Sequence, residues 1–158
     1  MFLSRIKRKQ ENPEISFRKA LIEDTSSIYA ISSKVYDIKF GLTDLREHLQ
    51  FILSQTNCIL YVAIKDKEVV GYIYADLHYP LLQSPYLQIL SVVVDPEYQN
   101  HGIGTLLIHK AETWAYENNI HEMMAYCPDS HPDEKLKFFQ QYNCDDQSCY
   151  YKFTKILD

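Results

Sequence analysis

The sequence predicts a single mixed α/β domain, with strands and helices interspersed in the α+β manner. The chain has 158 residues, inside the roughly 100–200 typical of one domain. Runs with strand character alternate irregularly with helical runs, a hairpin lies mid-chain, and no internal repeat is present. Hydrophobic residues make up 46% and charged residues 23%. That composition can bury a core without disulfides or a metal.

In order along the chain, residues 15–21 alternate apolar and polar side chains, as a half-buried strand does. Residues 24–36 follow with Ile28, Ile31 and Val35 at helical spacing, and Asp24 or Thr25 is placed to cap that helix. Gly41 breaks the chain, and Thr43 is positioned to cap a second helix with Leu45, Leu49 and Ile52 inward. Residues 58–64 and 69–77 are rich in Ile, Val and Tyr, with Lys65-Asp66-Lys67-Glu68 as the hairpin connection. Pro80 and Pro85 bracket a loop. Residues 86–94 form another strand, whose apolar end Val92-Val93-Val94 predicts burial on both faces. A long helix begins near Gly102 or Ile103. It has Ile103, Leu106, Leu107, Ala111, Trp114 and Ala115 on one stripe, and Asn118-Asn119 ends it. Residues 121–127 read as a strand, 133–141 as a helix and 148–156 as a final strand. Residues 1–13 are basic and read as a solvated tail or short added helix. The domain itself spans 14–158.

Composition removes several function classes. The net charge of −5 opposes a nucleic-acid partner, which calls for a basic patch. No run approaches the roughly 18 apolar residues of a membrane span. The basic start has no apolar stretch for a signal peptide. Cys58, Cys127, Cys144 and Cys149 lack paired CxxC spacing. With no secretory signal they read as free thiols of a cytoplasmic protein. His121-Glu122 opens like a zinc-protease HExxH, but Ala125 stands where the second ligand belongs, so no metal site is expected.

The segment that carries chemistry runs from Val92 to Thr105. A buried strand leads into a loop with Gly102 and Gly104, then into an amphipathic helix. First-turn amides of a helix lack internal partners and face a positive dipole end. Small glycines let a phosphate approach them. The segment therefore reads as a cradle for an anion, most plausibly a pyrophosphate; the alternative is that both glycines serve only a turn and close packing. Two known cradles are excluded. A GxGxxG fingerprint needs a small residue where Leu107 stands, and a Walker loop needs Lys-Ser/Thr after its glycine, where Thr105-Leu106 follow.

Gln99-Asn100-His101-Gly102-Ile103-Gly104 resembles the Q/R-x-x-G-x-G/A signature of the GNAT superfamily of acetyl-CoA-dependent N-acetyltransferases. Val94-Asp95-Pro96 before it and Leu106-Leu107 after it fit the same pattern. The likeness implies a twisted, mostly antiparallel sheet of about six or seven strands with about four helices on both faces. Its fourth and fifth strands would splay around the pantetheine arm of acetyl-CoA. It further implies that Val92, Val93 and Val94 pair with that arm through main-chain groups. An N–H at Val93 or Val94 would polarise the thioester carbonyl. Gln99, Asn100, His101, Gly102, Ile103, Gly104 and Thr105 would hold the pyrophosphate.

The resemblance also marks departures. Members commonly carry a Glu base on the fourth strand, where this chain has Gln88. They often carry a Tyr acid where this chain has Phe139, expected near the CoA sulfur. Asp76 and His78, two apart on one strand face, are candidate bases, or else solvent-facing strand residues. Tyr142, one helical turn after Phe139, is a candidate acid or a packing residue. Ser91 is a further polar group expected near the acetyl. The family's acceptor pocket is built from the first two helices, their loop and nearby strand ends. Tyr29, Tyr36, Phe40, Tyr74, His78, Tyr79 and Gln88 are its candidate lining, where rings can enclose an ammonium; the alternative places them in the core. The resulting expectation is a cytoplasmic enzyme that transfers acetyl from acetyl-CoA to a primary amine, with a small molecule favoured, by direct attack. It needs no metal and binds neither nucleic acid nor membrane, and a homodimer is compatible with it. The alternatives are a non-catalytic acyl-CoA-binding sensor of the same fold and a protein or peptide N-acetyltransferase.

Overall fold

Among the described residues five strands form one open sheet in chain order: β1 (Ser16–Lys19), β2 (Cys58–Lys65), β3 (Glu68–His78), β4 (Tyr86–Val94) and β5 (Met123–Ala125). The structure is a computed structural model that describes residues 14–125 together with Lys137 and Ile156. The expectations for the tail at 1–13, for Cys127, Cys144 and Cys149, for the helix at 133–141 and the strand at 148–156, and for Phe139 and Tyr142 lie outside the described residues.

The hairpin predicted at Lys65–Glu68 joins β2 to β3. Its two central residues both adopt left-handed angles, φ 50° at Asp66 and 70° at Lys67, which matches the right-handed twist of the flanking strands. β1–β2, β2–β3 and β3–β4 pair antiparallel, and β5 joins β4 in parallel at Leu87, Gln88 and Ile89. The β3–β4 register shifts once. Tyr74 faces Ser91 but Ala75 faces Ile89, which leaves Leu90 as the extra residue of a bulge. Near the end of this pair, a Cβ on Gly71 would lie 2.8 Å from the Val93 carbonyl oxygen, so only glycine lets the strands close there.

Helices α1 (Thr25–Val35) and α2 (Leu42–Ser54) cover one face of the sheet. Ile28, Ile31 and Leu49 pack there against Leu60, Val62, Tyr72 and Val93. Helix α3 (Ile103–Glu117) lies on the other face, burying Ile103, Leu107, Ile108, Ala111 and Ala115. Its Lys110 ammonium sits 5.8 Å from the centroid of the Phe17 ring of β1. Helices thus occupy both faces of a mostly antiparallel sheet.

The caps differ from the sequence expectation. Asp24 lies in a short 3-10 turn ahead of α1 and makes no side-chain cap to it. Arg18 claims the carboxylate instead, Nη1 donating to Oδ2 at 2.6 Å and Nη2 to Oδ1 at 2.8 Å, and the Leu21 N–H adds a third bond at 2.8 Å. Burial alone would raise this carboxyl, but these donors outweigh it and hold Asp24 below the ordinary carboxylate value. Thr25 Oγ1 donates to the Ile22 carbonyl at 2.5 Å rather than capping. In α2 the cap is Gly41, whose N–H donates to Asp44 Oδ2 at 2.8 Å, and Thr43 falls inside the helix. The five strands and helices α1, α2 and α3 belong to one compact unit ending at Ala125. No helix among the described residues is long and apolar enough to cross a membrane.

Candidate active site

Two half-sites meet on β4. The first is made of backbone. Leu106 N–H donates to the Gly102 carbonyl at 3.1 Å as the first bond of α3, so the amides of Ile103, Gly104 and Thr105 have no partner within the helix. Gly102 caps the helix at φ 77° and Asn100 stands at φ 63°. Left-handed residues just before a helix N-terminus shape a concavity suited to an anion. A Cβ on Gly102 would meet nothing within 4 Å. The backbone angle, with open space before it, is therefore what asks for glycine. Gln99 Nε2 donates to the Val94 carbonyl at 3.0 Å, and His101 Nδ1 lies 2.7 Å from the Gln99 carbonyl oxygen.

Asp95 N–H donates across to the Val70 carbonyl at 2.9 Å. By the alternation of strand main-chain groups, Val94 and Val92 turn to the opposite edge, and Val93 turns to β3. On that opposite edge Leu87 N–H donates to the Glu122 carbonyl at 2.8 Å. Beyond Ile89 no described strand pairs with it. The concavity before α3 thus continues into an edge of β4 that no strand covers beyond Ile89 among the described residues, with the Val94 carbonyl held by Gln99, and this suits a pyrophosphate with an extended amide-bearing arm. The Val93 side chain is buried in the core beneath α1.

Asp95 fixes the loop between these parts. Its side chain is 10% exposed; Oδ1 accepts from Glu97 N–H at 3.1 Å and Oδ2 from Lys34 Nζ of α1 at 2.7 Å. Burial pushes this carboxyl up, but the Lys34 bond and the Glu97 amide prevail and hold it below the ordinary value. Sequence reasoning missed Lys34, because 61 residues separate the pair and no local pattern links them.

The second half-site is made of side chains. A cavity of about 470 Å³ lies between α1, α2 and the sheet. Ile28 and Ser32 of α1 form one wall, residues 36–40 the rim, and Leu45, Leu49 and Ile52 of α2 another wall. Leu60, Tyr72, Tyr74 and Ser91 form the floor. Of the predicted acceptor residues, Tyr36, Phe40 and Tyr74 line this cavity, as does Ser91. Tyr29, His78, Tyr79 and Gln88 do not. Tyr29 OH donates to the Phe40 carbonyl at 3.2 Å, Tyr79 is 64% exposed and Gln88 is buried in the sheet.

Tyr72 and Ser32 went unnoticed in the sequence. Ser32 Oγ donates to the Ile28 carbonyl at 2.6 Å and lies 2.7 Å from the Tyr72 hydroxyl. Its one hydrogen is engaged, so Tyr72 is the donor between them. Burial pushes the Tyr72 phenol up and keeps it protonated.

Asp76 and His78 do share a face, with Asp76 Oδ1 3.0 Å from His78 Nε2. Apart from this ion-pair contact, Oδ1 is buried with no hydrogen-bond partner among the described residues. The His78 ring stacks on Tyr86 at 5.2 Å and 6°. Burial raises the Asp76 carboxyl above its ordinary value, against the pull of His78. Asp76 stands directly across from Gln88 in the ladder. A carboxylate is therefore present on β3, facing the β4 position where the family resemblance would have put one. Cys58 faces Asp76 from β2, and burial, then the nearby carboxylate, push its thiol up. Among the described residues no group of three His, Cys, Asp or Glu side chains could hold a metal.

Comparison with known proteins bears on the family and the fold. The model of the acetyltransferase (GNAT) family matches residues 25–143. A search of curated proteins found no match. Among solved structures, an aminoglycoside acetyltransferase from an uncultured soil metagenomic sample is 23% identical with a TM-score of 0.76, over 91% of this chain and 97% of that one. An aminoglycoside 6'-N-acetyltransferase from Acinetobacter haemolyticus is 15% identical with a TM-score of 0.79, over 90% and 99%. A transcriptional regulator from Bacillus halodurans is 20% identical with a TM-score of 0.74, over 89% and 100%. At these identities the likeness concerns the fold.

Proposed function

Because the chain belongs to the GNAT acetyltransferase family, we propose that it transfers acetyl from acetyl-CoA to the primary amine of a small molecule by direct attack. One observation carries this reading. Ser91, on the floor of the cavity, adjoins Val92, which lies on the stretch of β4 past Ile89 that no described strand pairs with on that edge. The donor track and the acceptor cavity therefore meet at one point, which supplies the proximity that a bimolecular transfer needs.

In this reading the Gly102 turn and the amides of Ile103, Gly104 and Thr105 hold the pyrophosphate, with Gln99, Asn100 and His101 shaping the loop. Main-chain groups of Val92 and Val94 pair with the pantetheine arm. An N–H on that edge, aimed at the thioester carbonyl, stabilises the charge that develops on its oxygen. The ammonium of the acceptor must lose two protons as it becomes an amide. One ends on the departing thiolate and one leaves to solvent. Asp76 is suited to take the proton that leaves before attack and pass it to solvent, because burial has already made its carboxyl a better proton acceptor. His78 at 3.0 Å orients it.

Release of the CoA thiol from acetyl-CoA, followed across a panel of primary amines, tests the proposal. Amine-dependent release with formation of the acetamide is expected. Tight CoA binding with no transfer to any amine would instead favour a non-catalytic acyl-CoA binder.

A further inference from the structure

The acceptor cavity has a wall chemistry that acetyl transfer as such does not require. Its interior is formed by Ile28, Leu45, Leu49, Ile52 and Leu60, with the Phe40 and Tyr74 rings. The Tyr72 and Ser32 hydroxyls on its floor are already bonded to each other and to the Ile28 carbonyl. The charged side chains on its lining are one of each sign, Asp37 and Lys39, both on the exposed stretch between α1 and α2. One carboxylate follows Tyr74 on the same strand face: Asp76, whose buried Oδ1 has, apart from His78 at 3.0 Å, no hydrogen-bond partner among the described residues.

A polyhydroxylated or polycationic amine would bring hydroxyls and ammonium groups against aliphatic walls that cannot bond them, and each such group is costly to desolvate. A single ammonium on an apolar body meets the opposite balance. Its carbons leave water for Leu45, Leu49, Ile52 and Leu60, and its one charge has the Asp76 carboxylate to reach at the sheet end, with Asp37 at the rim. The volume of about 470 Å³ is roughly fifteen times that of a water in the liquid, enough for a ring with a short chain.

Resting on the acetyl-transfer reading above, we propose that the acceptor is a monoamine on an apolar body, an aromatic ring or branched alkyl group. The body sits between α1, α2 and the sheet, and the amino group reaches past Tyr74 and Ser91 toward Asp76.

The test compares phenethylamine and isoamylamine with ethanolamine, spermidine and kanamycin. It measures kcat/KM by CoA thiol release, and binding by calorimetry to the protein saturated with CoA. The two apolar amines should exceed the other three by about tenfold or more in both measurements, since a hydrophobic pocket discriminates at least this much. Equal or better performance by ethanolamine, spermidine or kanamycin would overturn the proposal. If no amine is acetylated but the apolar ones still bind preferentially, the cavity assignment stands and the transfer reading falls. If amines are acetylated with the polar ones preferred, the reverse holds. Ile38→Asp places a carboxylate on the rim in a half-buried loop residue, outside the packed core. It should lower the ratio of phenethylamine to spermidine kcat/KM by about tenfold. An unchanged ratio would show that the amine body does not sit in this cavity.

Discussion

The donor and acceptor halves of the site are built by opposite means. The proposed donor half uses backbone: a left-handed Gly102, three helix amides with no partner within the helix, and an edge of β4 that no described strand covers, all within residues 92–105. The acceptor half uses side chains drawn from α1, the loop after it, α2, β2, β3 and β4. A backbone site tolerates wide changes in the side chains around it, because a helix terminus and a strand edge offer the same groups whatever the sequence. A side-chain site can be respecified residue by residue without disturbing the donor half. That division suits a fold that keeps one donor and varies its acceptor.

The difference predicts separable damage. The largest effect is expected from Asp76→Asn, which keeps shape but removes the proton acceptor. It should lower kcat by about 10²–10⁴-fold with CoA affinity unchanged. In the unmutated protein the rate should rise with pH through a value above the ordinary carboxylate pKa, because Asp76 must be ionised to act and burial raises it. The same raised pKa means that the native state binds the extra proton, so the Asp76 contribution to stability declines as pH rises through that window. Asp76→Asn should remove both dependences. An unaltered rate profile in the variant would remove Asp76 from the chemistry.

Gly102→Val should do the converse. At φ 77° a β-branched residue carries a left-handed penalty of roughly 1–2 kcal/mol, and its methyls enter the open space before the helix amides. CoA affinity should fall by about tenfold or more, beyond what Gly102→Ala causes, while amine binding in the cavity persists. Calorimetry with CoA and with the preferred amine separates the two. Normal CoA affinity in the Val variant would dissolve the backbone half-site.

The smallest effect, and the one that probes the seam, is expected from Lys34→Met. Lys34 belongs to the cavity helix, while Asp95 anchors the donor loop. Removing the ammonium leaves a buried carboxylate without its ion-pair partner, so CoA affinity should weaken by a few fold. Asp95 now has a folded pKa below its unfolded value of about 3.9. Its stabilisation is present above that value and fades as pH falls through the folded pKa. In Lys34→Met the Asp95 pKa should rise, moving the acid-unfolding midpoint upward. An unmoved midpoint would mean that the two halves are not tied through this pair.

Element spans were legible in the sequence where the signal is local. β4 and α3 follow from an apolar run, a stripe and a glycine, and the hairpin follows from polar turn residues between two β-rich runs. Caps were not. Asp24 has the side chain of an N-cap, yet Arg18 captured it, a competition that propensity cannot weigh. The pairing of Asp76 with Gln88 was also hidden. It requires the β3–β4 register, and the bulge at Leu90 shifts that register by one residue midway.

What the sequence determined by itself was the strand, glycine turn and helix of residues 92–105 and the order of elements, because each depends on angles and periodicities within a few residues. Only the tertiary structure decided the acceptor half. A cavity exists where α1, α2 and three strands fail to fill the space between them, and its polarity depends on which side chains face inward once register and helix rotation are fixed. It also decided which residue stands across from Gln88. Asp76 and Gln88 are 12 positions apart in the chain, and only strand pairing sets them opposite each other. Burial, a property of the packed state alone, then raises the Asp76 carboxyl, which suits it to the proposed role of proton acceptor.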